Sequence, residues 1–264
     1  MENSSFIQRI VDLFFTPGRA FDHLSDGVSY KDWLYPMIIV VLAIIILPLF
    51  FRDVSFYEAE RRIAQTEERL MNNPDIPEER LEVFEERMSK AKDKIADSKE
   101  NPWALRNLWG YILVPFMLFL QAAFFTAVLL MVGNFGMGER IKFFQLFTVV
   151  MSTYLIAGSG FFMNLVLGVG TLELLVKTPL VIMRESTDMM LSPGIMFDSI
   201  DSFLKQFLNQ LDLFRVWGMV VMGFGFAKLY NKSTATGIAA VAIPWLILVA
   251  VGAALINANN VVVG

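Results

Sequence analysis

The strongest constraint on the fold is the stretch from Leu211 to Leu255, in which two long apolar runs flank a short turn that contains Lys228 and Lys232. An apolar helix of about 20 residues, rising about 1.5 Å per residue, spans the hydrocarbon core of a bilayer. A short cationic turn between two such runs is typical of a membrane hairpin. The chain is therefore predicted to lie in a lipid bilayer.

Composition supports this prediction and excludes several classes of function. Of the 264 residues, 55% are hydrophobic and only 18% are charged, as in multi-spanning membrane proteins. The net charge of −4 offers no basic surface for nucleic acid, and the absence of cysteine excludes thiol catalysis and cysteine-ligated metals. His23 is the only histidine, and no phosphate-binding or zinc-protease motif is present. We expect no enzymatic activity, no metal site and no cofactor.

The apolar runs predict an all-α fold, a polytopic membrane helical bundle with five transmembrane helices. Each run ends at turn residues or at tryptophan and tyrosine side chains, which favour the membrane interface. The predicted spans are 33–51, 108–133, 143–164, 212–229 and 236–256. Together with the segments between them, they form a single membrane domain over residues 1–264.

Three segments are predicted to lie outside the hydrocarbon core. Residues 1–32 form an N-terminal segment with an amphipathic helix, and residues 195–211 form a second amphipathic helix. Residues 52–107 are highly charged, with apolar positions spaced three and four apart on both sides of a proline-containing break, which predicts an extramembrane helical hairpin. Two interpretations of the hairpin remain open: solvated faces that cover one another, or a surface over 56–97 that binds a protein partner.

Residues 165–183 decide the number of spans. Glu173 and Lys177 lie in this otherwise apolar segment, and each would cost about 2.5–3.5 kcal/mol on insertion scales if it faced lipid. We therefore predict a re-entrant or interfacial segment here. Five spans with a cytoplasmic N-terminus and an outside C-terminus also place the cations near the span ends on the cytoplasmic side: Arg9, Arg19, Lys31, Arg140, Lys142, Lys228 and Lys232.

Glu173 and Lys177 are the candidate functional pair, because ionisable residues inside a membrane are often functional. They are four residues apart with the glutamate first, the favourable order for a helical ion pair. One interpretation is a polar lining for an ion, proton or lipid headgroup. The other is a pair whose charged ends reach the membrane interface.

Two segments carry a resemblance to a known family. Pro17 to Phe21 has the sequence PGRAF, and the fourth predicted span begins LDLFRVWGMVVMGFGFAKLY. This pattern resembles the Yip domain family of five-span membrane proteins, whose eukaryotic members interact with Rab-type GTPases. The matching positions are Pro17, Phe21, Leu211, Asp212, Leu213, Phe214, Trp217, Gly223 and Gly225.

The resemblance implies a cytoplasmic N-terminus and a role in membrane traffic, membrane shaping or the organisation of partners. The chain has no DLYGP-like motif before its first span and no long N-terminal region, which argues against binding of a Rab-type GTPase. It is closer to bacterial members, so we expect a multi-pass protein of the bacterial cytoplasmic membrane. The expected partners are the bilayer and either a protein bound by the hairpin or a second copy of the chain. A small transporter or channel subunit is the alternative function.

Overall fold

The computed structural model describes residues 5–71, 78–101, 105–157, 171–184, 192–196 and 203–263. In these ranges all regular structure is helical. The α-helices are α1 (Phe6–Phe15), α2 (Pro17–Ala20), α3 (Tyr30–Phe50), α4 (Arg52–Met71), α5 (Glu78–Glu100), α6 (Leu105–Gly136), α7 (Phe143–Thr153), α8 (Thr171–Arg184), α9 (Phe203–Gln210), α10 (Leu213–Leu229) and α11 (Thr234–Val263). Short 3₁₀ helices lie at Asp22–Asp26 and Pro193–Met196.

Three of the described helices are long and apolar enough to cross a membrane. They are Tyr30–Phe50, Leu113–Gly136 within α6, and Thr234–Ala254 within α11. Only 22%, 39% and 33% of their most apolar windows is buried, so most of this apolar surface faces outward. Exposure on this scale is unfavourable in water and favourable in lipid. The prediction of an all-helical membrane fold agrees with these helices, although they account for only three of the five predicted spans.

The chain divides into two compact units. The first contains residues 1–44, 114–176 and 190–264, and the second contains residues 45–113 and 177–189. In the first unit, α7 lies at the centre of the packing, because every residue from Leu146 to Thr153 is buried. Helix α10 packs against α7, and it also contacts α11, with which it forms a hairpin, and the short helix α2.

The second unit contains the charged hairpin formed by α4 and α5. Lys92 bonds Glu67 at 2.7 Å, and Lys99 bonds Glu60 at 2.6 Å. The two pairs advance in opposite directions along the two helices, so α4 and α5 are antiparallel. Lys99 also lies 5.8 Å from the ring centroid of Phe56, within cation–π distance. Residues 72–77, which include the predicted break, lie outside the described residues.

The third predicted span, 143–164, differs from the structure. Helix α7 has 11 residues and the chain turns after Thr153, while residues 158–164 lie outside the described residues. The backbone N–H groups of Thr171, Leu172 and Glu173 then donate to the carbonyls of Tyr154, Leu155 and Ile156, at 3.4, 2.9 and 3.3 Å. The N-terminal amides of α8 thereby satisfy the last carbonyls that follow α7, as they would in one continuous helix.

Other predicted boundaries differ by smaller amounts. The re-entrant segment predicted at 165–183 contains most of α8, and residues 165–170 lie outside the described residues. The amphipathic helix predicted at 195–211 is shorter in the described residues, where α9 covers Phe203–Gln210 and Asp201 and Ser202 are not described. Helix α11 continues to Val263, beyond the predicted end of the fifth span.

Candidate functional site

The two family-like segments lie against each other in the first unit. Pro17 is the first residue of α2, where its missing N–H and fixed φ suit a helix start, and the ring of Phe21 is 1% exposed. A Cβ atom built on Gly225 of α10 would lie 3.0 Å from Cδ2 of Phe21 and 2.5 Å from Cγ1 of Val149. The absence of a side chain at Gly225 therefore lets α10 approach Phe21 and α7 closely.

An ion pair extends this contact. Lys228 Nζ lies 2.6 Å from Asp22 Oδ1, one residue beyond Phe21. Both side chains are about half exposed, so the pair contributes little stability by itself. The pair places the C-terminal end of α10 beside the N-terminal segment.

Gly223 is the point at which α10 crosses α11. A Cβ atom built there would lie 2.6 Å from the Cα of Ile238, and one built on Gly237 would lie 2.4 Å from the carbonyl oxygen of Gly223. Two helices approach this closely only where small residues meet, a packing mode that is common between membrane helices.

The start of α10 contains the other family-like positions. Asp212 is 2% exposed and caps the helix, since its Oδ1 accepts from the N–H of Phe214 at 3.0 Å. Trp217 is 37% exposed on the outer face of the helix, and Leu211 directly precedes the cap. Asp212 therefore stabilises the N-terminal end of α10.

A polar contact joins the ends of α6 and α10. The hydroxyl of Tyr230 donates to Asn134 Oδ1 at 2.7 Å, and the backbone N–H of Ile141 donates to the same oxygen at 3.1 Å. The Tyr230 ring lies over Gly133, where a Cβ atom would be only 2.1 Å away. The turn after α6, the turn after α10 and the N-terminal segment are thus adjacent. Sequence reasoning missed Asn134 and Tyr230, because neither belongs to a motif.

Arg9, His23 and Asp32 form a cluster at the same end of the first unit. Arg9 Nη1 bonds Asp32 Oδ1 at 2.7 Å, the N–H of Ser29 donates to Asp32 Oδ2 at 2.8 Å, and His23 Nε2 lies 3.9 Å from Asp32. Burial lowers the pKa of His23 below 6.5, and the adjacent Arg9 guanidinium lowers it further. Among the described residues, no cluster of His, Asp and Glu is arranged to hold a metal ion.

Helix α8 contains the candidate pair Glu173 and Lys177, and it buries polar side chains while it exposes apolar ones. Its buried face includes Glu173, which is 1% exposed, together with Leu174, Thr178 and Val181. Apart from Arg184 at the C-terminal end, its exposed residues are apolar: Leu175, Val176, Pro179, Ile182 and Met183. Lys177 lies one turn beyond Glu173 on the same helix and is partly buried. A helix in water presents charges outward, so this arrangement is typical of a helix surrounded by lipid.

Comparisons of the chain with protein-family models, with curated proteins and with solved structures found no match.

Proposed function

We propose that the chain is a non-enzymatic, five-span membrane protein of Yip type that organises protein partners or the bilayer. The observation that carries the proposal is the packing of Phe21 against Gly225. These residues belong to the two segments that resemble the Yip family, they are far apart in sequence, and they meet at a position where only glycine fits. A shared packing joint explains why a family would retain both segments.

The helix ends support five spans. Helices α7 and α8 have 11 and 14 residues and share one hydrogen-bond ladder. Twenty-five helical residues are about 37 Å long, whereas a hydrocarbon core is about 30 Å thick. The two helices together are therefore long enough to serve as the third span. Helix α10, with 17 residues, is the fourth span and is only slightly shorter than that core.

Contacts at one end of the first unit support the proposed sidedness. Lys228 pairs with Asp22, and Tyr230 bonds Asn134, so the turn after α10 lies beside the N-terminal segment and the turn after α6. Five spans place these three segments on one side of the membrane, whereas a sixth span before α10 would separate Lys228 from Asp22. By the preference for cations inside, that side is the cytoplasm. The proposed location is the bacterial cytoplasmic membrane.

The antiparallel hairpin of α4 and α5 is the proposed docking surface. It follows the first span, so the proposed topology places it outside. Its inter-helix ion pairs leave other charged positions open to solvent, and Val83 of α5 is an apolar side chain that is 47% exposed. The occupant is either a protein partner or a second copy of the chain.

Photo-crosslinking in native membranes tests this role. A photoreactive amino acid at Val83 is expected to form protein adducts, identified by mass spectrometry. The matched control is Met131 of α6, which is 63% exposed on an apolar helix and is expected to form lipid adducts instead. Val83 adducts with the chain itself would favour the homo-oligomer. An absence of protein adducts at Val83 in a correctly inserted protein would contradict the role of the hairpin.

A transporter or channel subunit is the second candidate, favoured by the polar face of α8. Glu173 is buried, and the hydroxyls of Thr171 and Thr178 are buried without a hydrogen-bond partner among the described residues. Buried polar groups along one helix face are typical of an ion or proton pathway. Solute flux into liposomes that depends on Glu173 and Lys177, and that is lost in a Glu173→Gln, Lys177→Met variant, would favour this candidate over the first.

A further inference from the structure

A recess in the first unit combines an apolar lining with one cation. Its empty space of about 280 Å³ includes the part that opens to the surroundings, and it lies where α10 and α11 meet α6. Its lining includes Phe125, Met219, Met222, Val241 and Trp245, with Arg215 of α10 as the charged member. The packing of α10 against α11 through small residues leaves this space between larger side chains.

Arg215 is incompletely paired in the described part of the chain. Its Nη1 donates to Gln210 Oε1, a neutral acceptor, while its Nε is buried and has no hydrogen-bond partner among the described residues. A neutral amide provides a hydrogen bond but no negative charge, and a buried guanidinium N–H without an acceptor is costly. The nearby carboxylate of Asp212 accepts the N–H of Phe214 as a helix cap.

The surface beside Arg215 is apolar. Leu213, Val216 and Trp217 are 63%, 36% and 37% exposed on the outer face of α10. An occupant must therefore offer an anionic oxygen to the guanidinium and a hydrocarbon chain to the recess and its rim. Phosphate oxygens suit the planar guanidinium, which can donate two parallel hydrogen bonds.

We propose that Arg215 and this recess bind an anionic phospholipid. The phosphate accepts hydrogen bonds from the Arg215 guanidinium, and an acyl chain packs along Val216 and Met219 at the mouth of the recess. Arg215 is in the first turn of α10, so in the proposed five-span topology the lipid belongs to the outer leaflet. Only this leaflet assignment rests on the proposed function; the site itself requires only that the chain lies in a membrane.

Native mass spectrometry of the full-length protein in detergent tests the proposal. Phosphatidylglycerol and phosphatidylcholine with the same acyl chains are titrated separately, and the ratio of their dissociation constants is measured. The wild-type protein is expected to prefer phosphatidylglycerol, and Arg215→Gln is expected to reduce that preference about tenfold. Arg215→Lys keeps the charge and loses the two-pronged geometry, so it should retain an intermediate preference.

A second set of variants tests the recess. Met219→Trp should fill it and weaken binding of both lipids, whereas Met131→Trp, at an exposed position on α6, should not. Lys232→Gln removes an exposed positive charge from the turn after α10 and should leave the lipid preference unchanged.

Two results would overturn the proposal. One is a phosphatidylglycerol preference that persists unchanged in Arg215→Gln, or, if that variant fails to fold, one that persists unchanged in Arg215→Lys while Met219→Trp binds both lipids as tightly as the wild-type protein. The other is displacement of phosphatidylglycerol by millimolar inorganic phosphate, which would identify a free anion as the ligand. Neither result bears on partner capture by the hairpin or on the number of spans, so the proposed function stands or fails separately.

Discussion

Gly225 shows at the scale of one residue how distant segments are brought together. Its missing side chain leaves the space that Phe21 and Val149 occupy, so two elements converge on a single backbone position of α10. Dispersion contacts depend steeply on distance, and the packing on both sides is sensitive to one added methyl group. A substitution at Gly225 is therefore a sensitive test of how α10 packs against Phe21 and Val149.

Gly225→Ala is expected to destabilise the protein by about 1–3 kcal/mol, because the new Cβ would overlap Val149 and Phe21 and force them to move. The measurement is thermal unfolding in a mild detergent. Gly252→Ala is the matched control, since it also lies within a helix and a Cβ atom there meets nothing within 4 Å. A smaller effect at Gly225 than at Gly252 would contradict the packing joint.

His23 predicts a dependence of stability on pH. Its pKa in the folded protein is lowered from 6.5, first by burial and then by Arg9, with Asp32 and Asp22 acting in the opposite direction. As the pH falls through about 6.5, the unfolded chain therefore binds a proton before the folded protein does, and stability decreases until the folded pKa is reached.

The melting temperature of the wild-type protein is expected to fall between pH 7.5 and pH 5.5 by more than that of His23→Gln. The variant retains a polar side chain of similar size and cannot titrate, so it isolates the contribution of the imidazole. Equal decreases in the two proteins would show that His23 is protonated as easily in the folded state as in the unfolded state.

For single residues, the sequence indicates positions of structural importance more reliably than it indicates their contacts. Pro17, Phe21, Asp212 and Gly225 belong to the pattern that resembles the Yip family. The cap formed by Asp212 is local and could be expected from its position before a helix. The contact between Phe21 and Gly225 could not, because it joins positions separated by most of the chain and depends on how the helices pack.

At the scale of elements, α8 shows how burial changes the cost of a charge in an apolar segment. Two charges in an apolar segment favoured an interfacial location for residues 165–183. In the structure, Glu173 is buried and Leu175 and Val176 are exposed. The Glu173 carboxylate therefore faces protein rather than the medium around it. The insertion penalty that guided the prediction applies to charges facing lipid, and it decreases when the charge faces protein.

Adding a charge to the exposed face of α8 tests whether that face meets lipid. Leu175→Lys is expected to reduce insertion and stability, because a lysine facing hydrocarbon costs about 2.5–3.5 kcal/mol near the middle of a helix. Val83→Lys in α5 is the control, since the two positions are 52% and 47% exposed. The measurement is the amount of membrane-inserted protein and its melting temperature.

Leu175→Lys should lower both quantities while Val83→Lys leaves them unchanged. Equal tolerance of the two substitutions would mean that α8 faces water. It would also remove the argument for α7 and α8 as a joint span, because a water-exposed α8 could not complete a crossing of the bilayer.

Two helices that are long and apolar enough to cross a membrane were easier to anticipate from sequence. Apolar length and flanking aromatic residues are local properties, and α3 and the apolar part of α6 lie close to the predicted first and second spans. The junction between α7 and α8 could not be anticipated in the same way. Its hydrogen bonds connect Tyr154–Ile156 with Thr171–Glu173, and a local periodicity does not encode contacts between residues so far apart in sequence.

At the scale of the whole molecule, charge placement and side-chain contacts bear on the same question. Cations near the span ends favoured five spans, and that inference used no contact information. The pair formed by Lys228 and Asp22 and the bond from Tyr230 to Asn134 independently bring the relevant turns together. Two arguments of different physical origin therefore predict the same side for the N-terminal segment and the turn after α10.

Cysteine accessibility can test this topology cleanly, because the chain contains no cysteine. Single cysteines are placed at Lys232, in the turn after α10, and at Arg87, in the hairpin helix α5; both positions are exposed. A membrane-impermeant maleimide is applied to intact spheroplasts and, in parallel, to permeabilised ones. Arg87→Cys should be labelled in both samples, and Lys232→Cys only after permeabilisation.

The two outcomes separate five spans from six. A sixth span would move Lys232 outside, so its cysteine would be labelled in intact spheroplasts, yet the pairing of Lys228 with Asp22 would then require the N-terminal segment to lie outside as well. A third cysteine at Ser5, at the start of α1, resolves that case. Labelling of Lys232 together with Ser5 would invert the whole topology, whereas labelling of Lys232 without Ser5 would contradict the contact between the N-terminal segment and α10.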